Sequence, residues 1–388
     1  LLCSNQNCST GVFLAQSENF LQICPTLLEG ERDMAVPGKR GRPSRRIRLE
    51  EIAARCGVSV STASRALSGA GGVREALRAT IIETAKSMNY AVPASVAGRK
   101  VILAASSAAM LDSARSQFTT HVLDGLNERA RMLGVELVTR PVATAEDEIA
   151  VLRESERDDG VAGCLFLTLD DDAVLTLTAG FSKPIVLVNG DDPSMRHSSV
   201  TPCNRSAAML AANHLIGLGH RRILFLMRRG RRTIERRYEG WRDALAAASV
   251  GDLEQLVVEV EDWLPELASR AVRKRIAAHG LDFSAVLTAG DSLAFGAIRG
   301  VQEAGYSVPG DVSVVGMDDL PLAAFCNPPL TAMHIPMREI GSAALSLLLD
   351  DMAHAVLPPR RVELACRLVE RQSTAPAKTG EGHRHPVP

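Results

Sequence analysis

The sequence predicts an α/β protein in two modules: a small helical head carrying a helix-turn-helix, then a two-lobed, doubly wound α/β body. Three observations lead there. The first is charge. The 388 residues have a formal net charge of -1, yet thirteen Lys and Arg stand against four Glu between Met34 and Lys100, a net of +9. A basic head on an acidic body suits a nucleic-acid-binding module joined to something else. The second is a set of short helical periods between residues 49 and 90 with a glycine at the reversal. The third is the pattern beyond Val101, where short apolar runs alternate with amphipathic stretches, as buried parallel strands interleaved with helices do.

Residues 1–33 precede Met34, the first methionine, and read incoherently beside the rest of the chain. They are expected to be an over-extended gene start or a disordered segment. Residues 34–48 form a basic arm, "GKRGRPSRRIR" at its centre. Such a run is ordinarily a solvated, disordered arm. Gly41-Arg42-Pro43, flanked by Arg40 and Arg45, resembles the core of an AT-hook. That places Arg42 as a minor-groove contact, where negative potential is concentrated.

The head spans residues 49–90. "LEEIAARC" puts Leu49, Ile52, Ala53 and Cys56 on one helical face. Gly57-Val58 supply a tight turn, and Ser59 suits the N-cap of a second helix. Leu77, Ile81, Ala85 and Met88 give a third helix its buried face. "GVSVSTASRALSG" is the informative stretch. Ser and Thr are mediocre helix formers. In a helix-turn-helix, however, the second helix enters the major groove with its first residues toward the base edges. Ser59, Ser61, Thr62 and Ser64 allow close approach and hydrogen-bond to phosphates or bases, and Arg65 reaches guanine in bidentate fashion. A Ser/Thr-rich surface helix accounts for neither the arginine nor the basic flanks.

Residues 91–100 form a hinge, and the body runs from 101 to 371. "VILAA", "VELV", "GCLFL", "PIVLV", "RILFLM", "LVVEV", "AVLTA" and "VSVVGM" are strand candidates. Helical patterns run through 118–133, 205–218, 238–248, 267–279 and 292–304. Some ten strands in this length make two lobes, with ligand in the cleft at their strand ends. Residues 372–388 are polar and proline-rich and are expected to be a disordered tail. With no apolar heptads there, a homodimer is expected, not a tetramer.

Several classes are excluded. The chain has no apolar run near the eighteen or so residues of a membrane span, and no convincing export signal. None of its eight cysteines has the Cys-x-x-Cys spacing of a zinc or redox site. They read as free thiols in a reducing cytoplasm. Nucleophile elbow, phosphate loop and paired metal ligands are all missing, so no enzyme, metal or cofactor is expected. A periplasmic sugar receptor would share the body but not the basic head; an architectural DNA-binding protein would share the head but not the cleft.

"LEEIAARCGVSVSTASRALSG" with "NYAVP" resembles the DNA-binding head of the lac repressor (LacI) family of transcription regulators. "NHLIGLGHRRILFL", "RRYEGWRDAL", "GDSLAFGAIRGVQEAGYSVPGDVSVVGMDD" and "NPPLTAMHIP" are similar to effector-domain signatures of that family, whose body is periplasmic-binding-protein-like. The resemblance covers about residues 45 to 372 and implies a regulator, usually a repressor. Such a protein is a dimer on a pseudo-palindromic double-stranded operator, and its DNA affinity is set by a small, carbohydrate-derived effector. It implies that Val60 and Ser61 read bases, that Ser59, Thr62 and Ser64 sit on phosphates, and that Arg65 reads a base near the outer part of each half-site. Val96 takes the place of the hinge wedge, in a hinge about three residues short of the family pattern. Arg74 stands where a small capping residue is usual. In the body the resemblance implies that Arg237 clamps the ligand, Asp291 binds its hydroxyls, Trp263 stacks on its ring, and Phe118 faces the cleft. Asn189 in "VLVNG" joins them, although Gly190 occupies the next position, where a charged residue is usual. The cluster of Arg228, Arg229, Arg231, Arg232, Arg236 and Arg237 reads either as a solvated loop or as a site for an anionic sugar acid or phosphosugar.

Overall fold

The computed structural model describes residues 49–67, 72–88, 98–107, 110, 116–353 and 358–378. Arg42 and Val96, with the basic arm and most of the hinge, lie outside the described residues.

In the head, α1 (Leu49–Arg55), α2 (Val60–Leu67) and α3 (Glu75–Ser87) close on a small core of Ile52, Ala53, Ala63, Ala66, Leu67, Ile81 and Ala85. Gly57 ends α1 at φ +65°. The Val58 N–H reaches back to the Ala53 carbonyl (3.0 Å) and the Gly57 N–H to that of Ala54 (3.3 Å). This pair of bonds satisfies the last carbonyls and needs a left-handed residue, which glycine supplies without strain. At the start of α2, Ser59 Oγ accepts the Thr62 N–H at 3.1 Å, as an N-cap should.

The body contains two six-stranded sheets. The first uses β1 (Lys100–Ser106), β2 (Glu136–Val142), β3 (Val161–Leu167), β4 (Ile185–Val188), β5 (Ser198–Pro202) and β11 (Arg361–Leu364), in the order β11-β5-β4-β3-β1-β2. The second uses β6 (Ile223–Met227), β7 (Val257–Glu259), β8 (Ala285–Thr288), β9 (Ser313–Asp318), β10 (Thr331–His334) and β12 (Arg367–Val369), in the order β12-β10-β9-β8-β6-β7. Every pairing is parallel except β10 with β12. The inner strands β1, β3, β4, β6, β8 and β9 are buried almost throughout, as parallel strands covered on both faces must be.

Helices cover both sheets. Around the first lie α4 (Ser116–Leu133), α5 (Ala145–Arg157), the short α6 (Asp172–Leu177) and α11 (Met337–Ala353). Around the second lie α7 (Asn204–Gly217), α8 (Arg232–Ala247), α9 (Pro265–His279) and α10 (Asp291–Glu303). Helices α4 and α11 approach through reciprocal glycines. A Cβ on Gly125 would overlap the Arg338 carbonyl, and one on Gly341 would overlap that of Val122. Each lobe is discontinuous in sequence. The chain crosses between lobes after β5, again between β10 and α11, and a third time between β11 and β12.

The twelve strands among the described residues exceed the ten or so expected; β5, β10, β11 and β12 were not among the candidates. The expected disordered tail also needs correction, because Gln372–Lys378 packs on the second lobe. Ser373 is fully buried; its hydroxyl accepts the Thr331 N–H (2.8 Å), and its carbonyl accepts the Val314 N–H (2.8 Å). The Ala375 N–H donates to Ser313 Oγ (3.0 Å) and the Ala377 N–H to the Leu218 carbonyl (2.8 Å). His220, buried, spans Ser284 Oγ, Ser313 Oγ and the Ala375 carbonyl. The segment satisfies backbone groups at the N-terminal end of β9, a reason for order that its polar composition conceals. The body therefore extends to residue 378.

Candidate functional site

Two surfaces carry chemistry. On α2 the apolar residues Ala63, Ala66 and Leu67 face the head's core, which turns Val60, Ser61 and Arg65 outward. Val60 is 42% exposed, an apolar side chain held out on the helix face opposite the head's core. Ser59 Oγ lies 2.9 Å from Ser61 Oγ and 2.8 Å from Thr62 Oγ1, so three hydroxyls form one cluster at the helix N-terminus. Ser64 lies half-buried on the flank, and Arg65 Nε donates to the Ser61 carbonyl at 3.3 Å. Hydroxyls and backbone N–H groups at a helix start suit phosphate oxygens, and the arginine suits a base edge.

The second surface is a cleft of about 310 Å³ between the two sheets. Its position follows from topology. Strand order reverses between β1 and β3 in one sheet and between β6 and β8 in the other. Crevices open at such points beyond the strands' carboxyl ends. Ser106, Thr168, Arg228 and Ala289, at or just past the ends of those four strands, all line the cleft. The N-termini of α4, α8 and α10 bring in Phe118, then Thr233 and Arg237, then Gly290 and Ser292. The positive ends of these three helix dipoles give the cleft a bias toward electron-rich oxygen.

Four of the five expected effector residues line this cleft: Phe118 and Asn189 from the first lobe, Arg237 and Trp263 from the second. Asn189, after β4, adopts φ 52°, and its side-chain Oδ1 is buried with no hydrogen-bond partner. Thr233 Oγ1, 1% exposed, is in the same condition. Arg237 is buried, its Nε donating to Asn204 Oδ1 (2.8 Å) and its Nη1 to the Ala289 carbonyl (2.5 Å), with Asp318 at 3.6 Å. Burial lowers its pKa, and the Asp318 carboxylate opposes that change.

Asp291 is the exception. It opens α10 as expected, but its fully buried carboxylate turns away from the cleft and accepts the Leu320 N–H at 2.7 Å. Burial, and then repulsion from Asp318, raises its pKa well above the carboxylate range. The carboxylates on the cleft wall are those of Asp262 and of Asp318, the latter at the end of β9. Asp318 accepts the Asp291 N–H at 3.2 Å, and burial pushes it up to about 6 while Arg237 holds it down. The helix start needs a buried acceptor in front and the loop after β9 needs one behind, and the two aspartates divide those tasks. Asp318 stands within the "GMDD" stretch, but its sequence does not distinguish it from Asp319.

The arginine cluster resolves unevenly. Arg229 pairs with Glu259 (2.5 Å) and Glu235 (3.3 Å) and lies over the Tyr238 ring. Arg236 pairs with Asp191 (3.2 Å) and Glu239 (3.2 Å). Arg231 meets Asp170 (3.6 Å) and the Asn189 carbonyl, so Arg231 and Arg236 form polar bridges from the second lobe to the first. Arg228, Arg231 and Arg237 line the cleft. The sequence does not single out Thr168, Thr233 or Asp318; their only signal is position, Thr168 and Asp318 at strand ends and Thr233 at a helix start.

Among the described residues no group of His, Cys, Asp or Glu could hold a metal ion, and no helix is long and apolar enough to cross a membrane.

A family model described as bacterial regulatory proteins, lacI family, matches residues 48–92, and one for a periplasmic binding protein-like domain matches 212–374. The transcriptional regulator reg1 of Streptomyces lividans is 32% identical over 346 residues, covering 86% of this chain and 99% of the relative. MalR of Streptomyces coelicolor is 33% identical over 347 residues, covering 86% and 98%. The solved transcriptional regulator CelR–cellobiose complex superposes at TM-score 0.62 with 28% identity, over 86% of this chain and 100% of that one. The lac repressor dimer bound to operator and the anti-inducer ONPF gives TM-score 0.62 and 25% identity, over 85% and 100%. The head, the two-lobed body and these likenesses agree: the chain belongs to the LacI family of bacterial transcription regulators.

Proposed function

We propose that this regulator acts in the cytoplasm as a homodimer on a pseudo-palindromic operator, and that a carbohydrate-derived effector in the cleft controls its DNA affinity. The observation that carries the effector half is the pair of buried, unpartnered oxygens, Asn189 Oδ1 and Thr233 Oγ1, in the wall of a cleft that Trp263 also lines. Buried polar atoms are nearly always satisfied, and an orphaned pair facing one cavity suits a ligand carrying hydroxyls. The indole face suits the C–H groups of a sugar ring. Arg237 and Asp318 bind an oxygen acceptor and a hydroxyl donor respectively. Cellobiose, the ligand of the similar CelR complex, sets the class of compound to try first.

For the DNA half, Val60 and Ser61 read bases, Ser59, Thr62 and Ser64 contact phosphates, and Arg65 contacts a guanine. The exposed Val60 supports this reading, because an apolar side chain held out on a groove-entering helix matches a thymine methyl. Chemistry on the effector is not part of the proposal.

The test begins with an operator selected from random DNA by the full chain. Titrating neutral oligosaccharides, monosaccharides and sugar acids into the protein and into its operator complex should find one compound that binds and shifts operator affinity. Trp263→Ala and Thr233→Val should each weaken that compound at least tenfold while leaving operator binding intact. No effect from any of these compounds would refute the effector reading. Arg65→Ala should cost about 1–3 kcal/mol of operator binding and relax the sequence preference at one position per half-site.

A further inference from the structure

Two cysteines stand where the lobes join. Cys203 comes directly after β5 at the first crossover, and Cys366 lies between β11 and β12 at the third. Strands β5 and β11 are paired neighbours with Pro202 opposite Leu364, and the Cys203 N–H donates to the Leu364 carbonyl at 2.9 Å. Cys366 Sγ donates to that same Leu364 carbonyl at 3.8 Å, so the two cysteines converge on one oxygen. Cys203 is also the N-cap residue of α7, where the helix dipole favours an anion. Its neighbour Asn204 is gripped by Arg237, whose cationic field also reaches Cys366. The pair therefore sits directly behind the effector cleft.

We propose that Cys203 and Cys366 form a redox-responsive pair that peroxide closes to a disulfide, joining two of the three crossovers between the lobes. Cys203 is the attacking group. The neighbouring Cys366 thiol and the α7 N-terminus both lower the pKa of Cys203, while the Cys203 neighbour and burial push Cys366 up. The Cys203 thiolate attacks a peroxide oxygen; an S–O bond forms, the O–O bond breaks, and the departing hydroxide takes up a proton as water. Cys203 is then a sulfenic acid. Cys366 gives up its proton and attacks that sulfur; the S–S bond forms, the S–O bond breaks, and a second water leaves. Two thiols have lost two hydrogens and two electrons, and one peroxide has become two waters.

The other thiols of the body lack this arrangement. Cys164 is buried on β3 beside Ser155, and burial pushes it up to about 11. Cys326 donates to the carbonyl of Pro328 at 3.2 Å and is likewise raised by burial. Joining the crossovers would restrict any rotation of one lobe against the other. The consequence for effector control rests on the cleft reading above, whereas the disulfide itself does not.

The test uses the full chain with no effector or DNA, so its outcome is separate from that reading. Reduced protein is treated with a small molar excess of hydrogen peroxide, alkylated and digested without reductant. We expect an intact mass lower by two hydrogens per chain and one cross-linked peptide joining Cys203 to Cys366. The closed loop exceeds 150 residues, so the thermal midpoint should rise by about 5–10 °C and return with dithiothreitol. Cys203→Ser and Cys366→Ser should each abolish both the cross-link and the rise. Cys203 recovered as an alkylated thiol or a sulfinic acid after peroxide would overturn the proposal. So would a cross-link to another cysteine or between chains.

Discussion

Replacing Arg237 with methionine should destabilise the fold in a way that reports on the charge it neutralises. The guanidinium lies beside the largely buried carboxylate of Asp318 and near the fully buried one of Asp291, and is the main group holding Asp318 down. Removing one member of a buried ion pair costs about 3–5 kcal/mol. The pH dependence is more diagnostic. In the native protein Asp318 loses its proton near pH 6, against 3.8 for an ordinary aspartate. Between those values the folded state binds the extra proton, so this group's contribution to stability falls as pH rises, and the fall ends above 6. Without Arg237 the folded-state pKa moves higher and the fall continues. The gap between native and Arg237→Met should then widen by about 1.4 kcal/mol per pH unit, roughly 2 kcal/mol from pH 6 to 7.5. Urea unfolding of both proteins at those two pH values measures it. A gap that stays constant or narrows would show that Arg237 does not set the charge of Asp318.

Glu148, 8% exposed on α5, is pushed up to about 7 by burial and by repulsion from Asp171 and Asp170. Its folded pKa exceeds its unfolded value of 4.5, so its cost grows from pH 4.5 to 7 and is complete above; Glu148→Gln should add up to about 3 kcal/mol at pH 8 and almost nothing at pH 4, read from thermal unfolding. Gly341→Ala would drive a Cβ into the Val122 backbone and should cost about 1–3 kcal/mol despite alanine's better helix propensity, measured by denaturant midpoint. If the basic arm contacts the minor groove, Arg42→Ala should weaken operator binding and lower the slope of log affinity against log salt by about one per subunit; an unchanged slope removes the arm from the interface.

The legible parts of the sequence were those where one physical signal dominates. Inner strands such as "GCLFL" and "RILFLM" are apolar because both faces are covered, and they stand out at once. The strands β5, β11 and β12 read "SSVTP", "RVEL" and "RLV". They are short and polar, and become strands because a neighbouring edge is available, which no local pattern reveals. The reversal at Gly57 and the cap at Ser59 were visible because turn and cap chemistry is local. Asp291 was placed at the right helix start but on the wrong side of it. A carboxylate's direction depends on which backbone N–H groups a distant loop presents, here Leu320. Residues 372–378 look like solvent-exposed chain until Ser313 and His220 are placed beside them.

The three crossings between lobes have a consequence for synthesis. The ribosome completes β1 to β5 first, but the first lobe still lacks α11 and β11, the last of which ends more than 150 residues later at Leu364. At ordinary elongation rates that interval lasts roughly 10–30 s. Throughout it the face of α4 around Gly125 and the open edge of β5 have no native cover, and the second lobe likewise waits for β12. The nascent chain therefore has no finished half to fall back on, and a stop codon anywhere before the end of β11 at Leu364 leaves both lobes open, not just the last one.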